Sequence, residues 1–242
     1  MGIAYGTTTL HQATKGIVQD GLILNLDAGV RDSYDNSDTT WTDIKNSNDG
    51  TFNNMNSANF SKTNGGVFSL DSTDEYITSD IVLGAANNSF SICAMVKITG
   101  GAGGNNAIFY TNYGATGGTP YFGIIQSTRT NPTGIYVASR DSTGTTNVSS
   151  STVSINNQDY NYIALVRNCS NNQYVLHANN NSVSMSFLGS LSVTDGSRGL
   201  TFGRHLTSYM EGYVGCLHAY NRALTSDEVA RNFNATRHRF GI

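Results

Sequence analysis

The sequence predicts an all-β protein, a two-sheet antiparallel sandwich of the jelly-roll kind closed by one C-terminal helix. Three observations carry this. Charged residues make up 13 % of the 242-residue chain, against ~25 % in an average soluble domain. Glutamate stands only at positions 75, 211 and 228, so the Glu and Lys from which helix surfaces are built are scarce. Short apolar segments alternate with stretches of Gly, Asn, Ser and Thr, as strands and turns do. A single stretch near the C-terminus carries helix-start chemistry. Net charge is only −3 and aromatics reach 10 %, which opposes disorder.

Residues 1–20 show no periodicity and are expected to form an N-terminal arm, with a single sandwich domain over 21–242. "GLILNLDA" (21–28) places Leu22, Leu24 and Leu26 on one face of a strand and Ile23 and Asn25 on the other. A polar loop follows, pinned by Trp41 and ending in Asp49-Gly50. "GGVFSLDSTDEYIT" (65–78) alternates Val67, Ser69 and Asp71 with Phe68 and Leu70, and "SFSICAMVKI" (89–98) is apolar almost throughout. "NAIFYTNY", "YFGIIQS" and "GIYVASRD" are three further strands between polar loops. "YNYIALVRN" and "QYVLHANN" stand a hairpin's length apart, and "NNNS" turns the chain again into "VSMSFLG". "GLTFGRHL" and "EGYVGCLHAY" complete the set. In "ALTSDEVARNFNATR", Thr225 and Glu228 form a capping box, and Leu224 and Val229 a hydrophobic staple. Val229 and Phe233 give the apolar stripe that faces the sandwich.

Composition excludes several functions. No basic run exists to track a phosphate backbone, and no apolar stretch approaches the ~20 residues of a membrane span. The N-terminus has no secretory h-region and fails the myristoylation pattern. Cys93, Cys169 and Cys216 each sit in an apolar run without the short spacing of a zinc site, so buried free thiols are expected. Hydrolysis of sugars needs two carboxylates across the scissile bond. Three glutamates cannot supply the Glu-x-Asp-x-Glu-like run that glucanases of this architecture place on one strand, and Asp71, Asp74 and Glu75 lack its parity. No Gly-x-Ser-x-Gly elbow or His-x-x-x-His motif occurs. The expectation is a protein that is not an enzyme.

Binding is the remaining class. Sugars are held by aromatic faces with hydrogen bonds from neighbouring polar groups. Tyr110, Tyr113 and Tyr121 surround the Gly-rich loop "NYGATGGTPY", with Arg129 and Arg140 nearby in sequence, and these five are the candidate ligand-binding residues.

Several segments in this order resemble one family: "DGLILNLDAG", "TTWTDIKNSNDGTF", "GGVFSLDSTDEYI", "SFSICAMVKI", "LTFGRHL" and "AYNRALTSDEVARNFNATRHRFG". They are similar to the laminin-G-like, concanavalin-A-like jelly-roll domains, most closely to those carried by structural proteins of tailed bacteriophages. The resemblance covers about Gly21 to Gly241 and implies a sandwich that binds sugars or proteins, often with a calcium ion. Many relatives carry an acidic pair where this chain reads Val214-Gly215-Cys216-Leu217. Asp27, Asp71 and Asp74 are then the candidate calcium ligands, for an ion that takes six to eight oxygens.

The function expected from all this is a non-enzymatic virion surface protein, a capsid decoration or fibre component. Its expected partners are other capsid or fibre subunits, host glycans and copies of itself, with no nucleic acid and no membrane insertion. A tail adhesin or carbohydrate-binding module recognising a host polysaccharide is the alternative.

Overall fold

The computed structural model describes residues 16–37, 39–85, 88–102, 105–111, 120–127, 134–148, 152–187, 193 and 199–242. The side chains of 101, 102, 105–107, 110, 127, 147 and 148 lie outside that description. The described strands are β1 (Leu22–Asp27), β2 (Thr40–Trp41), β3 (Gly50–Asn53), β4 (Phe60–Ser61), β5 (Val67–Asp71), β6 (Tyr76–Ser79) and β7 (Phe90–Ala102). They continue with β8 (Asn105–Thr111), β9 (Tyr121–Ser127), β10 (Gly134–Arg140), β11 (Thr146–Val148), β12 (Val153–Ser154) and β13 (Asn161–Asn168). The last are β14 (Gln173–Ala178), β15 (Asn181–Ser186), β16 (Leu200–Phe202), β17 (Arg204–His205) and β18 (Ser208–Tyr220), followed by helix α1 (Ser226–Phe240).

Two antiparallel sheets result. The first runs β15-β14-β13-β7-β18-β5-β4, with β1 and β17 also paired to β18. The second runs β11-β10-β9-β8-β16-β6-β3-β2, with β12 on β10. Both expected hairpins of the first sheet form: β13 pairs β14, and β14 pairs β15 through Asn179 at φ 52. Asn tolerates this left-handed conformation better than most residues. The main core fills the space between the sheets. One row of it crosses the second sheet as Phe52, Ile77, Phe202, Phe109, Ile124 and Val137, each directly opposite the next. At one end Phe68 meets the rings of Tyr34, Trp41 and Phe52 at centroid distances of 4.8, 4.9 and 4.8 Å, which is how Trp41 pins the polar loop.

Helix α1 lies on the outer face of the first sheet over a second core of Cys93, Met95, Tyr162, Cys216, Val229 and Phe233. The capping box is complete: Glu228 N–H donates to Thr225 Oγ1 at 3.2 Å, and Thr225 N–H donates to the Glu228 carboxylate at 2.9 Å. Arg222 donates to both Glu228 carboxylate oxygens at 2.8 and 2.7 Å, so the "YNRAL" segment locks the helix start to the strand before it. That pairing holds the Glu228 carboxyl down at about 2. Among the described residues no helix is long and apolar enough to cross a membrane.

Three local expectations are corrected. The alternation in β1 breaks at a register shift between Leu22 and Leu24, which turns Leu22 to the helix side while Leu24 and Leu26 enter the main core. A bulge adds one residue and inverts the parity before it. Cys169 is half-exposed, since it stands in the β13–β14 turn, whereas Cys93 and Cys216 are buried. Burial pushes both of those thiols up to about 12, which leaves them unreactive. Residues 16–20 of the expected arm join the packed body. Ile17 is fully buried, Val18 N–H donates to Asn232 Oδ1 at 2.7 Å, and Arg231 Nε donates to the Gly16 carbonyl at 2.8 Å. Residues 1–15 lie outside the described residues.

Candidate functional site

The outer face of the second sheet carries no described helix. Side chains alternate along a strand, so the row next to the buried phenylalanines faces outward. Read across the strands it is Thr40, Thr51, Thr78, Thr201, Gly123 and Ala138, with the backbone of Tyr110 in register between Thr201 and Gly123. Thr51 is exposed and Thr40 and Thr78 half-exposed, while Thr201 and Ala138 are buried. Two residues away along β9 and β10 on the same face, Tyr121 and Arg140 stand directly opposite each other. Arg140 is itself opposite Thr146 of β11. Tyr136 lies on the same face two residues from Ala138 in the opposite direction along β10, four residues from Arg140.

The end of β10 is fixed by the turn that follows. Asp141 Oδ1 accepts from Thr143 N–H at 2.9 Å, Thr143 Oγ1 at 2.6 Å and Thr145 N–H at 3.0 Å, so a short acidic side chain organises the turn. Gly144, at φ 87, lies beside the Arg140 guanidinium, where a Cβ would sit 3.3 Å from Nη2. At the start of β9, Phe122 N–H donates to Thr111 Oγ1 at 2.9 Å and ties the strand to β8. Burial raises the hydroxyl pKa of Tyr121, partly offset by the charge of Arg140. Burial also raises Tyr136, and the neighbouring Tyr121 adds to the shift. Arg140 Nε is buried without a hydrogen-bond acceptor among the described residues. A half-buried guanidinium directly opposite a tyrosine has the chemistry to hold a polar ring by its face and its hydroxyls.

The structure therefore brings Tyr121 and Arg140 together and places Tyr110 in the adjoining row by register. The side chain of Tyr110, and Tyr113 and Arg129 entirely, lie outside the described residues. Sequence reasoning missed Tyr136 and the threonine row. Their signal is register across strands distant in sequence, which no single segment displays.

The three candidate calcium ligands are dispersed in role. Asp27 is buried on β1, where its Oδ1 accepts from Arg239 Nη1 at 2.6 Å and from Gly29 N–H at 2.9 Å. Asp71 Oδ1 accepts from Thr73 N–H at 2.8 Å, and the Asp74 carbonyl accepts from Asn54 Nδ2 at 3.2 Å. Both belong to the β5–β6 turn. Among the described residues no group of three or more His, Cys, Asp or Glu side chains is placed to hold a metal ion. An ion pair already satisfies Asp27 and Asp71 Oδ1 is engaged in the turn, while Asp74 enters the turn through its main-chain carbonyl. Glu75, in the same turn, is raised by burial, and its two oxygens accept from Asn59 Nδ2 and Asp71 N–H at 2.6 and 2.7 Å. This carboxylate is held by its turn and does not face a partner across a cleft. In "VGCL", Gly215 occupies a bulge of β18 where a Cβ would lie 2.2 Å from the Phe240 ring. The absence of a side chain at Gly215 admits the end of the helix.

Comparison with known proteins bears on this fold. The carbohydrate-binding module CBM40 of the Ruminococcus gnavus IT-sialidase, bound to α2,3-sialyllactose, aligns with a TM-score of 0.52 at 16 % identity over 61 % of this chain and 83 % of its own. Domain 4 of AbnA, an extracellular arabinanase of Geobacillus stearothermophilus in complex with arabinotriose, aligns at 0.65 and 15 % identity over 87 % of this chain and 97 % of the domain. The binding domain of Botulinum neurotoxin serotype D aligns at 0.63 and 12 % identity, covering 92 % of this chain and 52 % of that one. Identities this low establish shared fold. No curated protein matches in sequence. A family model, Laminin_G_3, matches residues 71–230, from the β5–β6 turn into helix α1. This is the fold of lectin-like carbohydrate-binding modules, and the chain belongs to the Concanavalin A-like lectin/glucanases superfamily.

Proposed function

We propose that this chain is a non-catalytic glycan-binding protein of a bacteriophage virion surface, a capsid decoration or fibre component that presents its second sheet to host saccharides. The observation that carries glycan binding is the Tyr121–Arg140 cross-strand pair, on the face that also carries Tyr136, with Arg140 Nε lacking an acceptor among the described residues. Binding without hydrolysis is supported by the acid content of that face. Among the described residues of β9, β10, β11 and the β10–β11 turn, Asp141 is the one carboxylate, and it is buried and committed to its turn. Glycosidases need a pair, ~5–5.5 or ~6.5–9.5 Å apart according to mechanism. The virion placement rests on the resemblance of the "GLILNLDAG" and "YNRALTSDEVARNFNATRHRFG" segments to tailed-phage structural proteins.

A glycan array probed with the full chain, with and without chelator, tests the first part. Silence across a broad array counts against it. Protein copy number in purified particles tests the second: hundreds per particle fits decoration, a few fits a tail fibre, and none removes the virion role. A carbohydrate-binding module outside any virion is the alternative, favoured by the 97 % coverage of the arabinotriose-bound arabinanase domain.

A further inference from the structure

A second groove lies on the opposite sheet, on the outer face of the first sheet beside the end of α1. Its floor is one cross-strand row: Ser69 of β5 faces Tyr213 of β18, which in turn faces Lys97 of β7. Tyr160, just before β13, and the turn carrying Thr63 and Asn64 close its sides. The groove holds about 450 Å³, within the ~300–1,000 Å³ of small-molecule sites.

Its walls are built. Tyr160 stacks on Phe240 of the helix at 4.8 Å between centroids and hydrogen-bonds the Asn64 side chain, which backbone at φ 52 carries to it. Tyr213 is 37 % exposed, one of the few large apolar surfaces left open among the described residues. The other side of the β4 strand holds a recess of about 400 Å³ that shares Phe60 with the first and is lined by Arg31, Lys62 and Asp35. Three cations thus line the two recesses against one acid. None of the three cations takes part in an ion pair among the described residues. In a chain with only 14 Lys and Arg, three unpaired cations inside the two recesses suit these to negative charge, while the next row of the same face, Asp71 opposite Glu211, bounds the groove on one side with carboxylates.

We propose that this groove binds an acidic polysaccharide, with one uronate ring on Tyr213, its carboxylate on the Lys97 ammonium, and the next acidic unit reaching Lys62 and Arg31. An aromatic face supplies the C–H surface a pyranose needs, and an ammonium supplies a charge-assisted hydrogen bond that a neutral sugar does not receive. The site stands on the sheet opposite Tyr121 and Arg140 and does not depend on their role.

Calorimetric and NMR titration of the full chain with trigalacturonate, and with the same oligomer methyl-esterified, tests it. The acid form is expected to bind roughly tenfold or more tightly than the ester, to weaken as salt rises, and to shift amides of β5, β7 and β18 rather than those of β9 and β10. Lys97→Met is expected to reduce the preference for the acid form severalfold, leaving the share that Lys62 and Arg31 supply, and Tyr213→Ala to weaken both. Tyr213→Phe should retain most binding, and Lys97→Met decides the matter if Tyr213→Ala fails to fold. Absence of binding, equal affinity for the ester, or an unchanged preference in Lys97→Met overturns the proposal. Shifts confined to β9 and β10 do so as well, and would assign the acid sugar to the other sheet.

Discussion

Asp27 on the first strand and Arg239 in the last turn of the helix form a buried ion pair, Oδ1 to Nη1 at 2.6 Å. The Arg239 side chain reaches it between Gly29 and Gly215, where a Cβ would lie 2.4 Å from Nη1 and 3.4 Å from Nη2 respectively. Nη2 also donates to the Gly215 carbonyl at 3.2 Å. One contact therefore joins β1, the bulge of β18 and the C-terminus of α1. Removing one partner strands the other charge, which costs about 3–5 kcal/mol. Asp27→Ala is expected to lose that much in denaturant unfolding. Asp27→Ala combined with Arg239→Met should lose less than the sum of the two single variants. The Asp27→Ala loss should be the same with and without EDTA, since the carboxylate is satisfied by Arg239. A loss that disappears on chelation would identify Asp27 as a metal ligand.

His218 sits beside this pair, buried on β18 opposite Asn25. Burial lowers its pKa from 6.5 to about 4; the negative Asp27 resists that shift and the positive Arg239 assists it. Between these two values the unfolded chain binds a proton that the folded one refuses. Stability is therefore complete above pH 6.5 and falls as pH drops toward 4, by as much as about 3 kcal/mol. His177 and His205 are lowered in the same direction by burial, so the wild-type curve sums several groups. His218→Gln should flatten it between pH 6.5 and 4. An unchanged acid limb in that variant would show that His218 does not govern it.

The helix cap makes a smaller prediction. Thr225→Ala removes the acceptor of Glu228 N–H and should cost about 1 kcal/mol, or about 2–4 °C in Tm for a chain of this size. Glu228→Gln loses the ion pair with Arg222 as well. Its deficit relative to wild type should shrink as pH falls from 4.5 toward 2, because over that range the carboxyl of the unfolded wild-type chain takes up a proton that the folded one, held at about 2, refuses. A deficit that stays constant to pH 2 would argue against the Arg222–Glu228 pair.

On the second sheet, Tyr121→Ala and Arg140→Ala are each expected to weaken an array-identified glycan roughly tenfold or more with little change in Tm. Arg140→Lys should not restore binding, because the planar fork is lost. Binding that survives both alanine substitutions would move the site elsewhere.

Much of this protein was legible in its chain. The longer strands, both hairpins around β14 and the Thr225–Glu228 cap depend on contacts within a few residues, so alternation and capping chemistry reveal them, whereas the short β2 and β3 form inside what reads as a polar loop. Partners distant in sequence stayed hidden. The bulge that turns Leu22 to the helix side is set by β1 pairing with β18, about 200 residues later. The commitment of Asp27 to Arg239 is decided at the same range, and Asp27 in isolation looked like a free oxygen donor. The opposition of Tyr121 and Arg140 and the Ser69–Tyr213–Lys97 row are likewise products of register. Local chemistry determines which segments become strand, turn or helix, because it acts between near neighbours. Which side chains share a face is decided only when the sheets pair, because register and bulges are chosen by packing across the whole sandwich.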